Sequence, residues 1–370
     1  MNFSINWNIT RRCNLRCRHC YFEAGEPQAN ELSTEEALAV VDEIAKTFGG
    51  GGRGGGGGVG NEGGRGDEGD EVSGDACGGG GVRVTFGGGE PLLREDLFEI
   101  LAYGKERSLS MSLATNGTLL NEETAYKLRA CGVSEVIIPI DGTKRTHDWL
   151  RGKNSFERAV RAAKACRKVG LRLVIDPCIL RENEAELTQI LDIAERLGAS
   201  QVRIFHFIAL GRGGATKENE LSFEEYAANL QRIYEEQVRR RGIEICTTQA
   251  CQYWVILRRK ASEGAFVPDF FWNETPGCRA GISMLSIKPN GNVVPCPLLE
   301  ISVGNVREES LRSILKSEIL SALRRRAVKG RCSICKHREI CGGCRARAFV
   351  KSGDFLAEDP LCGDFFFEQE

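Results

Sequence analysis

The stretch "CNLRCRHC" at residues 13–20 holds three cysteines with gaps of three and then two residues. It follows the alternating run "FSINWNI" (3–9), which reads as a strand, so the thiols sit in the loop at that strand's C-terminal end. A structural zinc site or an iron–sulfur cluster ordinarily takes four protein ligands, and here one is missing. Three readings stand side by side: a [4Fe–4S] cluster with one iron left open, a zinc ion with three cysteines and a water, and a buried trio of free thiols. Arg11, Arg12, Arg16 and Arg18 flank the loop and favour the cluster, because cations stabilise thiolates. His19 reads as a packing neighbour of a cofactor.

Outward from this loop the chain alternates strand and helix. Ser33-Thr34-Glu35-Glu36 has the spacing of a capping box, and Ala37, Val41, Ile44, Ala45 and Phe48 recur at helical intervals after it. Strands are expected at 82–86, 110–115, 133–141, 172–179 and 201–208, with helices at 94–107, 121–131, 155–168 and 184–197. About six β-then-α units call for a parallel sheet with right-handed crossovers, an α/β fold that is either an open sheet or an incomplete barrel. In both cases ligands belong at the C-terminal ends of the strands. Residues 49–81 are mostly glycine with scattered charges and read as a disordered insertion, with Cys77 incidental. Phosphate binding is the alternative for such a run, but no Lys-Ser/Thr or helix start follows at the required spacing.

The chain has 370 residues, 41% of them hydrophobic, and a net charge of −1, which points away from nucleic acid or an anionic membrane as partner. "MNFSINWNIT" lacks a basic head and apolar run, and no stretch approaches the ~18 consecutive apolar residues of a membrane helix. A cytoplasmic protein is expected. Sixteen cysteines in such a chain point to metal or redox use rather than disulfides. Cys131 and Cys166 lie in amphipathic patterns and read as buried inert thiols.

The CxxxCxxC loop resembles that of the radical S-adenosylmethionine (SAM) superfamily. The resemblance implies a [4Fe–4S] cluster on Cys13, Cys17 and Cys20, with the open iron chelated by SAM. Cleavage of SAM then yields a 5′-deoxyadenosyl radical that abstracts hydrogen from the substrate. The implied fold is an incomplete (β/α)6 TIM-like barrel. Gly88, Gly89 and Glu90 in "FGGGEPLL" (86–93) resemble the family's SAM-amino contact, and Asn116 in "LATNGTLL" (113–120) resembles the segment near its ribose or methionine. Asp141 in "IPIDG" (138–142) is a candidate for the ribose hydroxyls. Arg151 is a candidate for the SAM carboxylate, which its planar fork would suit. An ordinary glycine turn, an Asn-Gly turn and a solvated surface arginine are the plain alternatives for these matches.

Seven cysteines fall between Cys278 and Cys362. Two CxxC pairs suggest a zinc ribbon, yet only five residues separate Cys335 from Cys341, short of the ~15 to 20 of a ribbon. The order resembles the SPASM extension, a small cysteine-rich α+β domain with one or two auxiliary [4Fe–4S] clusters. By that resemblance Cys332, Cys335, Cys341 and Cys362 complete one cluster. Cys278, Cys296 and Cys344 hold another, its last site open or filled by Cys246 or Cys251. The family commonly has three residues in its last CxxxC, where this chain has two between Cys341 and Cys344. The expected units are 1–210 for the barrel, 211–274 for a helical linker and 275–370 for the auxiliary domain.

"GCRAGISMLSIKPNGNVVPCPLLEISVGNVRE" (277–308), "CGGCRARAFVKSGDFLAEDPLC" (341–362) and the N-terminal stretch resemble the haem-biosynthesis branch of the family. That branch decarboxylates or oxidises side chains of iron tetrapyrroles. A ferredoxin or flavodoxin is the implied electron donor. A maturase of a peptide or of a tungsten or molybdenum pterin is the alternative, and a zinc-stabilised binding protein a further one. Arg203, Arg212, Arg345 and Arg347 are candidate partners for substrate carboxylates, with the surface as their plain alternative. His206 reads as a core histidine or a porphyrin contact.

Overall fold

The computed structural model describes residues 3–49 and 81–368; all of the glycine-rich insertion but its end residues, and Cys77 with it, lies outside them. β1 (Phe3–Thr10) alternates apolar and polar side chains. Phe3, Ile5, Trp7 and Ile9 are buried, with Phe3 stacked on Phe48 at 4.6 Å and Trp7 against Phe86 at 5.4 Å. Full burial of each such side chain contributes about 1.5–3 kcal/mol. Helix α1 (Thr34–Phe48) starts where its sequence directs: Ser33 Oγ accepts the Glu36 amide at 3.2 Å, and the Glu36 carboxylate accepts the Ser33 amide at 2.8 Å.

The alternation continues through β2 (Val82–Gly88), α2 (Leu97–Glu106), β3 (Ser110–Ala114), α3 (Glu122–Ala130) and β4 (Val133–Ile138). Two helices then follow one another, α4 (Lys144–Arg151) and α5 (Ser155–Lys168), before β5 (Arg172–Ile175) and β6 (Cys178–Ile179). The expected strand 172–179 is therefore interrupted at Asp176-Pro177, where proline offers no N–H to a neighbour. Both pieces pair with β7 (Gln201–His206), which follows α6 (Leu187–Leu197). α7 (Phe223–Arg239) leads to β8 (Glu244–Thr248) and α8 (Tyr253–Ser262).

β8 lies inside the segment expected to be a helical linker, and it pairs in parallel with β7. β9 (Met284–Ile287), β10 (Asn292–Val294) and β11 (Gly304–Asn305) belong to the cysteine-rich part. β9 and β10 form a hairpin, with Gly291 at φ 83° in its turn. β9 also pairs in parallel with β1, so one sheet runs β11-β10-β9-β1-β2-β3-β4-β5-β7-β6. Among the described residues no pairing closes this sheet into a ring, as in an incomplete barrel. The C-terminal ends of β1 to β5 form one rim.

Candidate active site

The cysteine loop leaves β1 and folds back on itself: Cys13 donates to Gly25 O at 2.8 Å and Gly25 to Arg11 O at 2.9 Å. Cys13, Cys17 and Cys20 are neighbours. Burial pushes the Cys17 thiol up to about 11; the Arg151 guanidinium pulls it down, while Cys20 and Cys13 push it further up. Burial raises Cys13 as well. Neighbouring thiols of this kind suit a cationic centre, which deprotonates its sulfur ligands. Among the described residues no three His, Cys, Asp or Glu side chains converge closely enough for a single metal ion. A cubane's ligands each take a different corner and have no need to converge.

Three of the four flanking arginines bond groups other than the thiols. Arg16 bonds Cys13 O and Glu26, Arg11 bonds Glu23 O, and Arg18 lies over the Trp149 ring. The clamp comes from Arg212, which donates to Cys17 O at 3.0 Å and Ala24 O at 2.6 Å.

The other expected residues gather on the same rim. Gly89 donates to Thr10 O at 2.9 Å and Glu90 to Arg12 O at 2.8 Å, stitching β2 to the cysteine loop. A Cβ at Gly89 would stand 2.2 Å from Arg12 O, and at Gly88, where φ is 120°, 2.4 Å from Thr10 O. The close approach that these glycines permit is thus to the loop backbone. Glu90 is fully buried. It accepts Thr115 Oγ1 at 2.7 Å, the Asn116 amide at 2.8 Å and the Leu92 amide at 3.2 Å. Asn116 in turn donates to Asn14 Oδ1 at 2.9 Å and lies 3.9 Å from Cys13 Sγ.

Asp141 and Arg151, expected to meet different groups of one ligand, are paired with each other. Arg151 Nε and Nη2 both face the buried Asp141 carboxylate, which also accepts the Cys178 amide at 2.9 Å. His19 Nε2 stands 3.8 Å from the same carboxylate, and its Nδ1 is buried with no partner. Burial, with Arg151, lowers His19 to about 4.

Sequence reasoning missed Asp176, which follows β5 with one buried carboxylate oxygen unpartnered. Burial pushes it up to about 7 against the pull of Arg203 and Arg151. Its signal was a carboxylate closing the apolar run "RLVID".

In the C-terminal part Cys332, Cys335, Cys341 and Cys362 line one small pocket, partly open to solvent. Gly342 and Gly343 beside it both take left-handed φ, 64° and 62°, and the Gly343 amide points at Cys341 Sγ at 3.4 Å. A Cβ at Gly343 would come within 3.5 Å of Cys332 Sγ. Cys278, Cys296 and Cys344 form a second neighbourhood.

Of the four candidate arginines, none is a simple surface residue. Arg345 is 3% exposed and bonds the carbonyls of Gly343, Phe355 and Ala357. Arg347 is locked to Asp359, and Arg212 to the loop. Arg203 is half-buried, bonded to Gln201 at 2.9 Å and 3.9 Å from Glu135. His206 is a core residue, bonded to Asn229 at 3.0 Å and edge-on to Tyr226. No helix among the described residues is long and apolar enough to cross a membrane.

Comparison with known proteins places this geometry. Residues 7–58 and 68–194 match the family model of the radical SAM superfamily, and 278–345 that of an iron–sulfur cluster-binding domain, SPASM. The chain is 34% identical over 367 residues to an AdoMet-dependent heme synthase of Methanosarcina barkeri, covering 97% of this chain and 95% of that one. It is 30% identical to an Fe-coproporphyrin III synthase of the same organism, covering 97% and 87%. Among solved structures, Streptococcus suis SuiB bound to the precursor peptide SuiA superposes with a TM-score of 0.71 at 16% identity, covering 98% and 76%, which is a likeness of fold. The cysteine loop, the barrel rim and the end-to-end match lead to one conclusion: this chain is an enzyme of the radical SAM superfamily with a C-terminal SPASM domain.

Proposed function

We propose that the enzyme decarboxylates or oxidises side chains of an iron tetrapyrrole in haem-type biosynthesis. What carries this reading is the 34% identity to an AdoMet-dependent heme synthase over 97% of the chain, rim and cysteine-rich part together. In it Cys13, Cys17 and Cys20 hold the SAM-binding [4Fe–4S] cluster. Gly88, Gly89, Glu90, Asn116 and the Asp141–Arg151 pair border SAM. Cys332, Cys335, Cys341 and Cys362 hold one auxiliary cluster, and Cys278, Cys296 and Cys344 contribute to another. The barrel spans 1–210, the linker 211–274 and the auxiliary domain 275–370.

When bound at Cys13, Cys17 and Cys20, the cluster with SAM would supply radical chemistry for hydrogen-atom removal from the substrate. The chain's own residues set where that happens. Arg212 fixes the backbone of Cys17, and buried Glu90 fixes the Thr115-Asn116 turn that meets Cys13. Asp141 orients Arg151 beside Cys17. We take a ferredoxin or flavodoxin as the electron donor and the cytoplasm as the compartment.

The test is anaerobic reconstitution, followed by SAM, reductant and either iron-coproporphyrin or a peptide substrate. The expected product is a porphyrin lighter by carbon dioxide and two hydrogens per reacted propionate. Cleavage of SAM that responds only to a peptide overturns the reading. Cys17→Ala should release no deoxyadenosine.

A further inference from the structure

The second cysteine neighbourhood has three thiols within the SPASM domain, and a cubane has four corners. Two cysteines upstream lie near enough in sequence to supply the last. The structure separates them. Cys246 sits on β8 opposite Arg203 in the strand register, and its thiol lies beside the Arg203 guanidinium. Cys251, just beyond β8, is 6% exposed and lies beside Cys278, with Cys344 and Cys341 its next sulfur neighbours.

That placement is built. The loop from 249 to 252 is tied to the SPASM segment by Asp359, itself 2% exposed. Asp359 Oδ2 accepts the Cys344 amide at 2.7 Å and Gln252 Nε2 at 3.0 Å, so one carboxylate oxygen joins the neighbour of Cys251 to the backbone of Cys344. Arg347 pairs with both oxygens of Asp359 at 3.0 Å and donates its other nitrogen to Gln249 O. Gln249 takes φ 58°, a left-handed conformation rare for a side chain of its kind, at the residue whose carbonyl Arg347 holds. Tyr226 closes the anchor, donating to Gln252 Oε1 at 2.7 Å. On the other side the Cys278 amide bonds Cys341 O at 3.0 Å. The anchor acts on the loop from outside the matched domain and delivers one thiol to the other three.

We propose that Cys251 is the fourth cysteine of the site formed with Cys278, Cys296 and Cys344, and that the auxiliary cluster there has no open iron. The inference rests on the reading above that the SPASM cysteines carry clusters, and it deepens it: a closed cluster offers no coordination site to substrate. Carboxylates of a tetrapyrrole are then held by protein side chains.

The experiment compares wild type, Cys251→Ala, Cys251→Ser and Cys246→Ala as full chains reconstituted anaerobically. Iron, sulfide and electron paramagnetic resonance are measured, with and without added 2-mercaptoethanol. Wild type should carry about twelve irons, as three cubanes do, with a spectrum indifferent to the thiol. Cys251→Ala should lose iron from one cluster, or keep it with a changed spectrum that the thiol shifts. Cys251→Ser retains a ligating oxygen and should keep its iron with a shifted spectrum. Cys246→Ala should match wild type. A Cys251→Ala protein with wild-type iron and an unchanged, thiol-indifferent spectrum overturns the inference, as does loss confined to Cys246→Ala. A wild type that holds about four irons and still releases deoxyadenosine sinks the inference and spares the radical chemistry. A wild type that releases no deoxyadenosine while Cys251→Ala alters an auxiliary signal does the reverse.

Discussion

Asp141 and Arg151 form a two-pronged ion pair at the mouth of the cysteine loop, with the Asp141 carboxylate fully buried and the Arg151 side chain 15% exposed. Removing one partner of a buried pair costs about 3–5 kcal/mol, because the other charge is left alone. Asp141→Asn should sit near the lower end of that range, since Arg151 reaches some solvent. Burial by itself would raise the Asp141 carboxyl; Arg151, His19 and His147 outweigh it and hold it well below the usual range. A depressed acid contributes its stability above the unfolded value, near 3.8, and loses it as pH falls through the folded value. The gap in urea midpoint between wild type and Asp141→Asn should therefore be full at neutral pH and close only in strong acid. A gap that closes between neutrality and mild acid would refute the pairing.

Gly89→Ala places a methyl 2.2 Å from Arg12 O and 2.7 Å from Arg11 O. Backbone oxygens cannot rotate away, so the cysteine loop must move. Overpacking of this kind costs about 1–3 kcal/mol. The variant should fold, yet lose about four irons of the total and its deoxyadenosine release together. Retained iron with lost activity would instead place the glycine against SAM itself.

Glu90 offers a pH readout. Burial raises its carboxyl from 4.5 to about 7, with Thr115 and the Asn116 and Leu92 amides restraining the rise. A raised acid contributes stability fully below its unfolded value and loses it as pH climbs through the folded one. Wild type should thus lose up to about 3 kcal/mol between about pH 4.5 and 7. Glu90→Gln removes this titration at the loss of the acceptor that faces the Asn116 amide, so its urea midpoint should fall less than that of wild type over that window. Parallel curves for the two proteins would contradict the assignment.

Much of this site is legible in the residues, and the illegible part has a common cause. The alternation of "FSINWNIT" announces a strand with one face to the helices and one to a polar interior, and β1 is that strand. Ser33 and Glu36 mark a helix start because both halves of the cap lie within four residues. Cys13, Cys17 and Cys20 are likewise local. What failed to show were partnerships across long separations. Arg212 reads as a surface charge until the fold brings it to Cys17, and Arg347 until it meets Asp359. Arg151 looks free because α4, which swings it back onto Asp141, is a short, charge-rich helix with few apolar residues. β8 is five residues after a long polar helix, too brief to stand out against the linker around it.

Arg203 is a candidate cation that the fold leaves partly exposed. Its side chain is 23% exposed, its guanidinium bonds Gln201, approaches Glu135 and lies beside the Cys246 thiol, and it faces Asp176, whose Oδ1 has no partner. Arg212 and Arg347 have spent their donors on carbonyls and on Asp359, and Arg345, 3% exposed, is held by three carbonyls with its Nη2 buried. A tetrapyrrole carrying several carboxylates needs a donor of this kind, and a hydrogen bond to a charged group contributes about 1.5–3 kcal/mol. Arg203→Met should therefore raise KM for iron-coproporphyrin by about ten- to hundredfold. Substrate-free release of deoxyadenosine should be unchanged, because the rim residues around Cys17 are untouched. Arg203→Lys, which keeps the charge but not the fork, should recover part of the loss. A fall in kcat at constant KM, or a parallel loss of substrate-free SAM cleavage, would mean that Arg203 holds the barrel wall through Gln201 and Glu135 rather than the substrate.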